Sequence, residues 1–155
     1  MIGLIQRVTE AAVAIEGQRA AAIGRGLLVL VGVERHDDAE TARRLAERVL
    51  AYRVFPDAAG KMNLSVCDVD GAVLLVPQFT LVADTQSGNR PSFSSGAAPT
   101  LGKELFAAFV GECERRCKRV AVGRFGAAMQ VSLVNDGPVT FWLEAGTELS
   151  RGPAP

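Results

Sequence analysis

The apolar run at residues 27–33 most constrains the fold, because it contains no charged or polar side chain. Its length and its valine and leucine content favour a β-strand that is covered on both faces. Gly24-Arg25-Gly26, just before it, superficially resembles a phosphate-binding loop. A dinucleotide-binding motif needs a strand followed by a helix, whereas these glycines lead into a strand. A turn is therefore the better interpretation.

The rest of the chain divides into short β-type runs and two amphipathic segments. Strands are predicted over residues 2–8, 12–15, 18–23, 71–82, 129–134 and 139–144, with Gly17 in a hairpin. Asp37 or Asp38 is suited to cap a helix that runs to about Tyr52. One face of this helix is apolar: Ala42, Leu45, Ala46 and Val49. A second helix is predicted over residues 101–118.

This order of elements predicts one domain of the α+β class, a small antiparallel β-barrel-like sheet with two main helices. The domain is expected over residues 1–145, with a disordered tail at 146–155. Pro77 interrupts the predicted strand 71–82, and a central strand tolerates proline poorly, so the strand is expected to end or bulge there. Residues 84–100 are rich in Ser, Gly, Pro and Ala, and a loop of that length is often functional.

Composition argues against several classes of protein. Lys+Arg and Asp+Glu both number 17, so a broadly basic nucleic-acid-binding coat is not expected. The apolar start is too short for a signal peptide and no run is long enough to cross a membrane, which predicts a cytoplasmic protein. The three cysteines, Cys67, Cys113 and Cys117, form no C-x-x-C, and there is one histidine. We expect buried or half-buried thiols, no metal and no cofactor.

The first candidate site is the strand end Gln78-Phe79-Thr80. It could simply be a packed strand end, with Phe79 turned inward. Alternatively, the backbone N–H groups of Phe79 and Thr80 face a developing oxyanion. Thr80 could also be a nucleophile, but a hydroxyl needs an activating base. Nothing in the sequence brings the lone histidine, His36, to Thr80, so the base is expected to come from the substrate.

The second candidate site is Asn135-Asp136-Gly137-Pro138. These residue types are common in turns, and composition alone favours a plain hairpin turn between two strands. The sharper interpretation is that Gly137 and Pro138 form a rigid probe presented to a ligand. A cis peptide bond cannot be inferred from the dipeptide.

Both segments resemble motifs of the D-aminoacyl-tRNA deacylase (D-tyrosyl-tRNA deacylase) family. That family carries Ser-Gln-Phe-Thr-Leu and Asn-x-Gly-Pro-Val-Thr; this chain has Pro-Gln-Phe-Thr-Leu at 77–81 and Asn-Asp-Gly-Pro-Val-Thr at 135–140. It is similar again in Ile-Gln-Arg-Val at 5–8, Gly-Lys-Met-Asn-Leu at 60–64, Arg-Pro-Ser-Phe at 90–93 and Met-Gln-Val-Ser-Leu-Val at 129–134. The resemblance extends from Met1 to about Leu143.

The resemblance implies a homodimeric enzyme with its site at the subunit interface, acting on the acceptor end of aminoacyl-tRNA without a metal. It implies hydrolysis of D-aminoacyl-tRNA, and of glycyl-tRNA, with rejection of L-aminoacyl-tRNA as chiral proofreading in translation quality control. No DNA or membrane partner is implied. The implied catalytic residues are Gln78, Phe79 and Thr80, with a neighbouring ribose hydroxyl assisting the attacking water. The implied substrate-binding residues are Gly137 and Pro138, joined by a cis bond, with Arg7 bracing them, and also Met129 and Pro77.

Pro77 departs from the family, which usually has Ser at this position. The change removes a hydroxyl and a backbone N–H, so substrate affinity or selectivity is expected to shift. An alternative function is therefore a non-catalytic tRNA- or protein-binding module with the same fold. A further alternative is a hydrolase of small free esters.

A basic cluster near the end of the second predicted helix offers contacts to tRNA: Arg115, Arg116, Lys118 and Arg119, with Arg124 beyond. Complementing the helix dipole is an equally good account of these charges.

Overall fold

Strand β1, Ile2–Ile15, organises the sheet because other strands pair along both of its edges. A computed structural model describes residues 1–146 of the 155-residue chain. On one edge, β1 pairs antiparallel with β2, Gln18–Ile23, and with β3, Gly26–Gly32. On the other edge it pairs antiparallel with β8, Gln130–Glu144. The two strands predicted at 2–8 and 12–15 are thus one.

Parallel pairs extend the sheet beyond β3. Strand β6, Ala72–Pro77, lies parallel to β3, and β7, Val120–Val122, lies parallel to β6. The order β2-β1-β3-β6-β7, with β8 on the other edge of β1, gives a nearly closed barrel-like sheet. The predicted fold class is confirmed, although the parallel pairs were not foreseen. They arise because each connection between these strands contains a helix, which allows the chain to cross over and return in the same direction.

Two helices form these connections. Helix α1, Ala39–Ala51, joins β3 to β6, and α2, Pro99–Arg116, joins β6 to β7. They pack on each other, and the predicted apolar face of α1 is buried. Their buried side chains share one core with the sheet, including Val29, Leu45, Phe55, Leu75 and Phe109. No helix within residues 1–146 is long and apolar enough to span a membrane.

The short strands were not predicted, because two or three residues carry no readable periodicity. Strands β4, Phe55–Pro56, and β5, Met62–Leu64, form a small hairpin, and β7 is equally short. The predicted strands at 129–134 and 139–144 are one strand, β8, with a bulge between its halves. The predicted tail at 146–155 lies outside the described residues, apart from Gly146.

The amino group of Met1 ties three parts of the fold together. It is buried and donates to the Glu34 carboxylate at 2.7 Å, to the Asp37 carboxylate at 2.6 Å and to the carbonyl of Ala145 at 2.7 Å. These contacts join the start of β1 to the loop before α1 and to the chain after β8. Burial raises the pKa of Asp37 above its ordinary value.

The cap of α1 gives a test of the fold. Hydrogen bonds from the backbone N–H and hydroxyl of Thr41, both at 2.8 Å, hold the pKa of Asp38 below its ordinary value. Asp38→Ala should lower the free energy of unfolding by about 1 kcal/mol, whereas Asp38→Asn, which can still cap, should lose much less. Because the folded-state pKa is lowered, the carboxylate's stabilisation is present above its unfolded pKa and is lost as pH falls through the folded one.

Chemical denaturation at pH 7, 4 and 3 measures both effects. The stability advantage of the wild type over Asp38→Asn should shrink from pH 7 to pH 3. An advantage that grows on acidification would contradict this account of the cap.

Candidate active site

A cavity of about 540 Å³ opens where β3 and β6 end. Its walls come from these strands, from the start of α2 and from the segment between β7 and β8: Val31, Val33, Val76, Pro77, Gln78, Phe79, Ala97, Pro99, Gly102, Phe106, Phe125, Gly126, Ala127, Met129 and Val131. Among the described residues, none of the lining side chains is ionisable. The described cavity wall therefore offers no ionisable side chain as a general acid or base.

The chain turns sharply at the rim of the cavity. After β6, residues Phe79–Val82 form a single 3₁₀ turn. The N–H of Gln78 donates to the carbonyl of Val31 at 2.7 Å, which fixes the turn against β3. Within residues 1–146, the N–H groups of Phe79 and Thr80 donate to no acceptor. Two adjacent amides are thus left unpaired beside an apolar cavity, as a developing oxyanion requires.

The side chains of this turn lie at its surface. Phe79 is 66% exposed, so its ring does not pack inward within the chain, as the alternative of a plain packed strand end would require. The side-chain amide of Gln78 donates a hydrogen bond to the Thr80 hydroxyl, so this hydroxyl already has a partner within the turn. His36 lies exposed in the loop before α1 and does not line the cavity. The described structure therefore supplies Thr80 with no imidazole base from the cavity wall.

Pro77 ends β6 without removing a bond from the sheet. Val73 and Leu75 face β7, since the Val73 N–H donates to Arg119 and the Leu75 carbonyl accepts from Gly123. Alternate residues of a strand bond to opposite neighbours, so an N–H at position 77 would also face that side. The pairing of β7 with β6 ends at Leu75. The strand thus tolerates Pro77 for the expected reason, which is that it stops there.

The segment around Gly137 is a bulge in β8. Gln6 pairs with Thr140 and Val8 pairs with Asn135, so residues 136–139 lie opposite Arg7 alone. Both halves of β8 run antiparallel to β1, and the interpretation as a hairpin turn is therefore wrong. The bond between Gly137 and Pro138 is cis, and Gly137 has φ +136°. An added Cβ there would lie 2.6 Å from Cγ2 of Val139.

Hydrogen bonds fix the bulge from both sides. The Arg7 side chain is 12% exposed and donates from Nε to the Asp136 carbonyl at 3.0 Å and from Nη1 to the Val54 carbonyl at 2.6 Å. Arg7 Nε also lies 3.2 Å from the Asp136 carboxylate. The Asn135 side chain accepts from the Val139 N–H at 3.1 Å and donates to the Thr140 hydroxyl at 3.2 Å. Hydrogen bonds to Asp136 and to Val139 thus hold the backbone on both sides of the cis peptide bond.

The predicted site residues form two separate groups within one chain. Pro77, Gln78, Phe79 and Met129 line the cavity, and Thr80 follows in the turn. Arg7, Gly137 and Pro138 do not line it. Sequence reasoning did not identify Gly102, Phe106 and Phe125 as cavity residues. A glycine inside a helical pattern was a usable signal for Gly102, because such a position often has a packing or functional reason.

A row of large apolar side chains is exposed along β8. Val131, Leu133, Val134, Phe141 and Trp142 are each between 36% and 50% exposed, and together we call them the β8 patch. Single exposed apolar residues are normal on a surface, but five on one edge strand make this strand a candidate interaction surface.

The three cysteines are free thiols that differ in exposure. Within residues 1–146, no group of His, Cys, Asp and Glu is arranged to hold a metal. Cys113 and Cys117 are buried as expected, whereas Cys67 is exposed, and burial raises the pKa of Cys113 to about 12.

Three cations of the predicted tRNA-binding cluster already have acidic partners. Arg115 pairs with Glu112, Arg116 pairs with Glu47 at 2.8 Å, and Arg119 pairs with Asp70 at 2.9 Å. Exposed pairs of this kind are weak, so the arginines remain able to exchange partners.

Comparison with known proteins matches nearly the whole chain to a single family. Residues 4–144 match the family model described as D-Tyr-tRNA(Tyr) deacylase. A D-aminoacyl-tRNA deacylase of Salmonella arizonae is 59% identical over 144 residues, which cover 93% of this chain and 99% of the relative. One from Citrobacter koseri is 60% identical with the same coverage.

Solved structures share the fold. A protein described as c-Myc DNA Unwinding Element Binding Protein superposes with a TM-score of 0.90 at 36% identity, covering 95% of this chain and 100% of that one. A probable eukaryotic D-amino acid tRNA deacylase superposes with a TM-score of 0.81 at 16% identity, covering 92% and 98%, and shows likeness of fold alone.

Proposed function

The chain belongs to the D-Tyr-tRNA(Tyr) deacylase family and hydrolyses the ester bond of D-aminoacyl-tRNA, and we propose that it does so with backbone amides in place of an ionisable side chain. The observation that carries this proposal is the pair of unpaired amides at Phe79 and Thr80, beside a cavity with no titratable lining side chain among the described residues. The ester carbonyl is reactive enough for water to attack it when backbone amides stabilise the developing oxyanion. A general base is not needed from the protein if the substrate provides one.

The proposed reaction is attack by water on the ester carbonyl carbon. Negative charge develops on the carbonyl oxygen, which accepts hydrogen bonds from the N–H groups of Phe79 and Thr80. The neighbouring ribose hydroxyl assists the water, whose proton ends on the departing ribose oxygen as the C–O ester bond breaks. Gln78 contributes by holding the turn, since its N–H bonds Val31 and its side chain bonds the Thr80 hydroxyl. No metal or cofactor takes part in this scheme.

A second copy of the chain is proposed to complete the site. In one chain, Gly137 and Pro138 do not line the cavity, so their carbonyls, in a bulge that Arg7 holds at the Asp136 carbonyl, are available to reach the cavity of a partner and bind the substrate α-amino group. The β8 patch supports a homodimer, because it leaves five large apolar side chains on one strand to be covered. Arg7 keeps the bulge in a fixed position, which a probe of chirality needs.

Chirality would be read by exclusion. With the amino group and the carbonyl both held, an L side chain would point into the wall of the site, where a D side chain or the hydrogen of glycine has room. We therefore propose rejection of L-aminoacyl-tRNA and hydrolysis of glycyl-tRNA. This discrimination needs no side-chain contact with the amino acid.

The nucleic-acid partner is proposed to be the acceptor end of aminoacyl-tRNA in the cytoplasm, and not DNA. The formal net charge is zero, so binding should be modest and salt-sensitive. Lys118 and Arg124 have no salt-bridge partner among the described residues, and they join Arg115, Arg116 and Arg119 as proposed phosphate contacts. Pro77 lines the cavity where the family usually has Ser, and we expect it to tune the fit of the terminal nucleoside.

Matched substrates test this function. The measurement is the release of labelled amino acid from the same tRNA carrying a D-amino acid, its L-enantiomer or glycine. The D-amino acid should be released rapidly and glycine at a measurable rate. Release of the L-amino acid should be negligible. Chelator should leave the rates unchanged. Tight binding without release of the D-amino acid would instead support the non-catalytic module, and equal turnover of a small free ester would support a general esterase.

Replacement of Thr80 separates its amide from its hydroxyl. Thr80→Val keeps the backbone N–H and the side-chain shape, so kcat for D-aminoacyl-tRNA should fall by no more than roughly tenfold, the effect of one local hydrogen bond. Thr80→Ser, which keeps the hydroxyl, is the matched control. A loss of a thousandfold or more in Thr80→Val alone, with the fold and tRNA binding intact, would identify Thr80 as a nucleophile.

Two variants test whether the site is shared between subunits. Gly137→Ala should impair D-substrate turnover, because its Cβ conflicts with Val139 and its φ of +136° disfavours a side chain. Gly102→Leu should fill the cavity, because its Cβ would lie 3.3 Å from Phe125, a cavity residue. Gly111→Leu, on the same helix, meets only the Arg115 side chain at 3.8 Å and serves as the control.

Refolding the two inactive variants together gives the decisive measurement. Random pairing makes half of the dimers mixed. In a mixed dimer, one site combines the unchanged cavity of the Gly137→Ala chain with the unchanged bulge of the Gly102→Leu chain, and the other site carries both changes. Roughly a quarter of the wild-type specific activity should therefore return. Full activity in a monomeric fraction, or no recovery in verified mixed dimers, would show that each chain holds its own complete site.

A further inference from the structure

The 3₁₀ turn is held closely against a residue that does not itself touch the cavity. Gly32, the last residue of β3, is buried beneath the turn and is not among the cavity-lining residues. A Cβ at this position would lie 2.9 Å from Cγ1 of Val82, 3.0 Å from Cβ of Leu81 and 3.4 Å from the carbonyl oxygen of Gln78. All three neighbours belong to the turn or directly precede it.

Space, and not backbone conformation, requires glycine here. The φ of Gly32 lies outside the left-handed region, so other residues could adopt its backbone. Glycine inside a strand weakens the strand and often marks a place where another backbone approaches closely. The three atoms nearest to an added Cβ belong to the segment that carries the amides of Phe79 and Thr80. The missing side chain therefore determines how near the turn sits to β3.

A second contact with the turn is made through the ring of Phe79. The ring of Phe93 lies 5.2 Å from the ring of Phe79, centroid to centroid, and both rings are substantially exposed. The loop that carries Phe93 is itself anchored, because Asp84 and Ser92 exchange two backbone hydrogen bonds and the Gly96 N–H donates to the Phe93 carbonyl at 3.0 Å. Phe93 thus contacts the first residue of the turn from a fixed loop.

We propose that Gly32 and Phe93 are positioning residues of the deacylase, which set the location of the Phe79 and Thr80 amides through two separate contacts with the turn. This inference rests on the proposed role of those amides in binding the oxyanion. Oxyanion donors act at about 2.7–3.1 Å, so a displacement of a few tenths of an ångström weakens them. Substrate binding depends on the rest of the cavity and should change little.

Gly32→Ala is the main test, with Gly3→Ala as its matched control. Gly3 is also a buried strand glycine, but the three atoms nearest to its added Cβ are side-chain atoms of Leu45 and Val49 at ordinary contact distances of 3.4 Å or more. For D-aminoacyl-tRNA, Gly32→Ala should lower kcat by roughly tenfold, with KM within about twofold of the wild-type value. Binding of an amide-linked D-aminoacyl-adenosine, which cannot be hydrolysed, should be unchanged, and Gly3→Ala should leave kcat unchanged.

A double variant distinguishes displacement of the turn from general destabilisation. Val82→Ala removes the Cγ1 atom nearest to the added methyl group, so Gly32→Ala/Val82→Ala should recover part of the kcat lost by Gly32→Ala. General damage would instead make the double variant the least active. Phe93→Leu should also lower kcat at constant KM. Phe93→Tyr, which keeps the aromatic ring, should have a kcat close to that of the wild type. The Phe93 variants decide the outcome if Gly32→Ala does not fold.

The outcomes for the inference and for the proposed function are separable. Wild-type protein that releases no D-amino acid would overturn the proposed function and this inference together. Active wild type with unchanged kcat in folded Gly32→Ala, or in Phe93→Leu where Gly32→Ala does not fold, would overturn only the inference. A fall in kcat accompanied by equal losses in analogue binding would also overturn it, because the residues would then be merely structural.

Discussion

The pairing of β1 along both of its edges is the constraint on which the rest of the molecule depends. One edge carries β2 and β3, and the other carries the whole of β8. The cavity is built from β3 outwards and the cis bulge is built into β8, so β1 fixes the positions of the cavity and of the bulge within one chain. Arg7 lies on this strand opposite the bulge and bonds it directly. Register and site geometry are thus set together.

A site made of backbone groups needs more support than one made of side chains, because an amide cannot change its rotamer to find a substrate. The structure meets that need with local anchors. Val31 accepts from the N–H that precedes the turn, and Asn135 and Arg7 hold the bulge. The absence of an ionisable side chain from the described cavity wall is consistent with chemistry that depends on position. It also explains why no cluster of titratable residues identified the site in the sequence.

Much of the fold could be predicted from the sequence, and the failures have physical causes. The Asp38 cap and the buried face of α1 were readable because helical periodicity persists over several turns. β7 was too short to show a pattern. The bulge was interpreted as a hairpin because Asn, Asp, Gly and Pro have the same local preferences in both, and only pairing with β1 distinguishes them. The motifs supplied the candidate site residues, but the separation of Gly137 from the cavity is a property of the fold.

Three glycines carry information that no motif of functional groups could give. At Gly137 a side chain would conflict with Val139, at Gly102 it would enter the cavity towards Phe125, and at Gly32 it would push against the turn. In each case an absent Cβ leaves room for a backbone or a cavity. Under the proposed discrimination by exclusion, such spaces matter as much as contacts, because a clash with the wrong enantiomer provides the selectivity. Selectivity in this fold is therefore expected to respond more sharply to added methyl groups than to removed charges.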